Sequence, residues 1–136
     1  MPTLKTYRLF ISHAWTYGDE YQRLVNLLDA APNFDWADYS VPEDDPLHGG
    51  SDAQLRAGLE RQMRLASAVL VISGVYATNR RWMQEEIDIA LRLNRPIIGL
   101  FPHGSQRASQ AVQEVATEMV NWSTSSIVSA IRDHAL

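Results

Sequence analysis

Two adjacent acids, Glu85 and Glu86, fall in a segment whose spacing predicts a helix from about Arg81 to Leu93, and their helical neighbours differ in kind. Glu85 has Arg81 at i−4 and Asp88 at i+3, a polar row that reads as solvated and pointing away from any cleft, where pairing with the helix dipole is explanation enough. Glu86 has Trp82, Met83, Ile89 and Ala90 at i±3 and i±4, so its carboxylate projects from the face that packs. An acid held there without a helical cation loses hydration, which raises its pKa unless loop donors satisfy it. Perturbed acids cluster at active sites, which makes Glu86 the candidate for acid–base or electrostatic chemistry.

Other chemistries lack their residues. The chain has no cysteine, which removes disulfide scaffolds, thiolate metal sites, cysteine nucleophiles and iron–sulfur clusters. The loop after the first predicted strand, SHAWTYGD, holds only Gly18 and so no G-x-G-x-x-G turn, and Lys5, the sole lysine, precedes that strand, so there is no P-loop. A phosphorelay receiver would want acids after the first strand, an aspartate after the third and a lysine after the fifth; Ser12, Ser73 and Asn121 stand near those places. The same first loop lacks the tight Thr/Gly cradle for a flavin phosphate. His13, His48, His103 and His134 have no metal-ligand spacing, although Asp44, Asp45 and His48 share one loop, so no metal and no resident cofactor are expected.

The elements that must position Glu86 follow from periodicity. The 136 residues, 46% of them hydrophobic, suit one compact domain spanning 1–136. Buried strands are expected at Tyr7–Ile11, Ala68–Ser73 and Ile97–Phe101, a half-covered edge strand at Phe34–Tyr39, and a last short strand at Met119–Trp122. Between them come helices from about Asp19 to Ala30, from a Ser51/Gln54 capping box to Leu65, from Arg81 to Leu93, from Ser109 to Thr117, and a last one capped by Ser123. On the second helix the row Arg56, Glu60 and Arg64 reads as a solvated face. Strict alternation implies an α/β, flavodoxin-like three-layer sandwich around a five-stranded parallel sheet of order 2-1-3-4-5. Ligands of such sheets sit outside the carboxyl ends of the strands, which selects the loops His13–Gly18, Ser40–Gly50 and Gly74–Arg81. The net charge of −4 carries no field for nucleic acid or an anionic membrane, and the N-terminus lacks a secretory signal, so a soluble cytoplasmic protein is expected.

The segment Ser73–Leu91, SGVYATNRRWMQEEIDIAL, resembles the S-x-x-Y-x-x-S-x-W-C-x-x-E-[LI] signature of TIR domains. Trp82 and Glu86 reproduce its W-x-x-x-E spacing, with Met83 in place of the usual cysteine. The opening FISHAWTYGD and the continuation DYSVPEDDPL are similar to the TIR-like signal producers of Thoeris antiphage systems. The resemblance implies a TIR-like domain that cleaves NAD as substrate, with Glu86 catalytic. It further implies that Phe10, Ser12 and His13 face the nicotinamide half, that Ser73 reaches the same cleft, and that Tyr76 and Trp82 wall it. Arg81 or its neighbour Arg80 would neutralise the pyrophosphate, and Asp45 would contribute from the acidic loop. The product would be a cyclic or otherwise modified ADP-ribose, a diffusible nucleotide signal to a separate effector protein, with self-association as a further possibility. The alternative from a different class is a non-catalytic TIR-like interaction module using the loop Ser40–Gly50 for homotypic contacts.

Overall fold

A computed structural model describes residues 5–12, 18–40, 51–72, 80–101 and 110–136, without the side chains of 18–21, 80–83 and 110–111. Strands and helices alternate as β1 (Thr6–Ile11), α1 (Gly18–Asp29), β2 (Asp35–Asp38), α2 (Asp52–Leu65), β3 (Ala68–Ile72), α3 (Arg80–Arg92), β4 (Ile97–Leu100), α4 (Gln110–Val115), β5 (Glu118–Val120) and α5 (Thr124–His134). The sheet runs β2-β1-β3-β4-β5, and every adjacent pair is parallel. Central β3 is buried along its whole length, as its unbroken run Ala68–Ile72 requires, whereas β2 lies at an edge with its end residues exposed.

Side chains alternate across the sheet and divide the core in two. Leu9, Ile11, Leu70, Ile72, Ile98 and Leu100 meet Leu24 and Leu28 of α1 and Ile127, Val128 and Ile131 of α5. Phe10, Val69, Val71 and Ile97 meet Leu55, Leu59 and Met63 of α2, Ile87, Ile89 and Ala90 of α3, and Val112 of α4. Gly99 keeps β4 close to this second layer: a Cβ there would lie 2.4 Å from the Met119 sulfur. No helix among the described residues is long and apolar enough to cross a membrane.

Local chemistry sets the helix ends. Ser51 opens α2 with a complete capping box: its hydroxyl accepts from the Gln54 amide at 3.1 Å while the Gln54 side-chain carbonyl accepts from the Ser51 amide at 2.9 Å. Ser123 Oγ accepts from the Ser126 amide to open α5. Past α3, Asn94 adopts φ 56°, and the amides of Arg95 and Asn94 return to the carbonyls of Ala90 and Leu91, a Schellman ending that turns the chain toward Pro96 and β4.

One expectation is corrected. In the row Arg56, Glu60 and Arg64 the first two are not simply a solvated face of α2 but meet α3 in a seam, whereas Arg64 is exposed. Arg56 binds Glu85 there, and Glu60 binds both Arg64 of its own helix and Arg92 of α3. Arg95 completes the seam by donating to the carbonyls of Met63 and Arg64 at 3.3 and 2.7 Å, which satisfies the last turn of α2.

Candidate active site

Ser12 directly follows β1 and remains tied to the sheet, its amide donating to the Leu70 carbonyl at 2.8 Å. The two-residue repeat of a strand puts it on the same face as Phe10, toward α3. From α3, Glu86 reaches back to that point, and the Ser12 hydroxyl donates to Glu86 Oε1 at 3.0 Å. Both side chains are buried: Ser12 is 0% and Glu86 1% exposed. A carboxylate shut from water needs donors, and a hydroxyl bonded to a charged oxygen contributes more than a neutral pair does. The site therefore holds a carboxylate in one orientation, beside the carboxyl ends of β1 and β3.

The neighbouring strand ends are tied at the same level. Ser40 Oγ accepts from the Ile11 amide at 2.8 Å, and the Ser40 amide donates to Asp38 Oδ1, so the exit of β2 is fixed one residue from Ser12. The Tyr39 amide donates to the Leu9 carbonyl, and Gln62 of α2 donates to the Tyr39 carbonyl at 3.3 Å. Ser40 was legible only as the first residue of a polar loop; a serine accepting from a neighbouring strand carries no spacing signal.

Glu85 points elsewhere, as the neighbour contrast predicts, yet it is not on a solvated row. Its carboxylate receives Arg56 Nε and Nη2, each at 2.9 Å, in a two-pronged bridge. The Glu85 carboxylate, through these hydrogen bonds and its charge, holds the Arg56 guanidinium above its ordinary pKa.

The other expected site residues are distributed unevenly. Phe10, expected to face nicotinamide, is 0% exposed within the apolar layer under α2 and α3, because its place in β1 is two residues deeper than Ser12. Arg80, Arg81 and Trp82 belong to the first turn of α3, but their side chains lie outside the described set. His13, Asp45, Ser73 and Tyr76 lie outside the described residues, as do the cleft loops 13–17, 41–50 and 73–79. No group of three or more metal-ligating side chains occurs among the described residues. A recess of about 640 Å³ lined by Pro32, Val128 and Arg132 lies between α5 and the segment that follows α1, on the far face of the sheet from Glu86.

Comparison with known proteins gives a family and several solved structures of similar fold. The family model described as "Thoeris protein ThsB, TIR-like domain" matches residues 10–107, a span that contains both Ser12 and Glu86 and more than half of the chain. A crystal structure of a prokaryotic SEFIR domain is 16% identical, with a TM-score of 0.49 over 93% of this chain and 94% of that one. No curated protein matches by sequence.

Proposed function

The chain belongs to the TIR-like domain family of the Thoeris protein ThsB, and on that premise we propose that it cleaves the nicotinamide–ribose bond of NAD and releases an ADP-ribose-derived signal in antiphage defence. One observation carries the proposal: Glu86, an acid that packing alone would not place there, is 1% exposed and oriented by the Ser12 hydroxyl beside the strand ends where such sheets bind ligands.

The chemistry suits a single carboxylate. Nicotinamide leaves a cationic ring as a neutral molecule, so the departing group needs no proton. The ribose carbon left behind acquires oxocarbenium character, and a negative charge beside it, already desolvated and already oriented, stabilises that state more than it stabilises bound NAD. Glu86 supplies the charge. Ser12 holds one of its oxygens, so little reorganisation accompanies the reaction. Water, or a hydroxyl of the ribose on the adenosine side, then bonds to the same carbon and releases its proton to solvent, giving ADP-ribose or a cyclic isomer.

Incubating the purified chain with NAD, and separately the chain taken from phage-infected cells, tests the proposal by chromatography. Nicotinamide and an ADP-ribosyl product are expected in equal amounts. Intact NAD in both samples would contradict cleavage and favour the interaction-module alternative.

A further inference from the structure

Much of the packing face of α3 beside Glu86 is hydrocarbon. Ile87, Ile89 and Ala90 are buried in the second core layer, and hydrophobic burial by itself is non-directional. Rotation matters at this position. A side chain at the helix surface lies about 5–6 Å from the axis, so a turn of about 20° would carry the Glu86 carboxylate about 2 Å sideways, beyond a hydrogen bond to Ser12.

Glu85, one residue earlier and about 100° around the helix, meets α2 through a planar fork: Arg56 Nε to Oε2 and Nη2 to Oε1, each at 2.9 Å. Two parallel bonds of this kind fix an angle as well as a distance. Farther along α3, Arg92 binds Glu60, one turn after Arg56 on α2. The order of charges is reversed between the helices, positive then negative on α2 and negative then positive on α3. A slip of α3 along α2 would therefore break both pairs. Arg56 and Glu85 are also partly exposed, with side chains 43% and 30% accessible, where ion pairs contribute little to stability.

Resting on the proposed NAD-cleaving role of Glu86, we propose that the Arg56–Glu85 bridge is a positioning device that sets the rotation of α3 and thereby aims the Glu86 carboxylate at Ser12 and the ribose. Neither residue touches the reacting atoms. The bridge acts through the backbone of α3, so its loss appears in the chemical step rather than in NAD binding.

The test uses the full chain with NAD and four variants: Arg56→Gln, Glu85→Gln, the two combined, and the swap Arg56→Glu with Glu85→Arg. Each single change is expected to lower kcat by about tenfold, since misplacing a catalytic group by an ångström or so has effects of that order or larger. KM should stay within about twofold of wild type, the signature of an interaction that matters only in the transition state. The double Gln variant should be no worse than either single, because the two residues act as one unit. The swap should recover most of the loss. Amide exchange over residues 86–90 gives a readout independent of turnover: it should quicken in the single variants and return toward wild type in the swap. Unchanged kcat in the singles, a loss confined to KM, or losses that multiply in the double variant would overturn the proposal. If wild type itself releases no nicotinamide, the NAD-cleaving reading fails, and unaltered amide exchange in the singles would still overturn the bridge independently.

Discussion

The two faces of the sheet are built from the same alternating strands but are used differently. Toward α1 and α5, Leu9, Ile11, Leu70 and Ile72 meet Leu24, Leu28, Ile127 and Ile131 in a hydrophobic layer. Toward α2 and α3, Phe10, Val69 and Val71 meet Leu59, Met63 and Ile87, and at the carboxyl end of β1 this layer gives way to the buried pair Ser12–Glu86. Among the described residues, the buried side chains of the first face are hydrocarbon. A carboxylate in the second is then an expense of desolvation that packing does not require, and departures of this sort from uniform core chemistry are expected at functional sites.

Substitutions can break or sharpen that contrast. The largest effect on stability belongs to the apolar face. Leu28→Ala should lower the unfolding free energy by about 2–5 kcal/mol, through lost transfer energy and the cavity left behind, while turnover per folded molecule stays at the wild-type value. Urea denaturation and an NAD assay on the same preparation check both halves. On the other face, Ser12→Ala removes the donor to Glu86 Oε1. It should reduce stability by about 1.5–3 kcal/mol, the range for a hydrogen bond to a charged group, and unlike Leu28→Ala it should also lower kcat. The smallest effect is Ser51→Ala at the start of α2, about 1 kcal/mol from the lost capping box, with KM and kcat unchanged. Turnover that followed stability in all three variants alike would erase the distinction between the faces.

Much of this architecture is legible in the residues because short-range chemistry enforces it. The capping residue Ser51, the apolar run Ala68–Ile72 and the turn at Asn94 each determine a local boundary, and the alternation of periods leads to the parallel order 2-1-3-4-5. The contrast between Glu85 and Glu86 was legible for the same reason: periodicity within one helix says which face packs. It does not say which neighbour covers the other faces. That is why Arg56 and Glu60 read as solvated when they form a seam with Glu85 and Arg92. Nor does periodicity say what the Ser12 hydroxyl meets: a carboxylate 74 residues away, a separation no local pattern encodes. Phe10 shared the family motif with Ser12, but depth along β1 decides whether a strand residue is floor or wall, and Phe10 is floor.

The central claim is that Glu86 is buried for chemistry rather than for stability, and Glu86→Gln tests it when turnover and unfolding are measured on one preparation. The amide keeps volume and accepts the Ser12 hydroxyl, but it removes the charge that the proposed mechanism sets opposite the oxocarbenium. Nicotinamide release should fall by about 10²–10³, close to 3–4 kcal/mol on the barrier, while the unfolding free energy measured in urea stays the same or rises because a neutral amide is less costly to bury. Turnover equal to wild type, or a loss of stability large enough to account for the lost turnover, would contradict the claim.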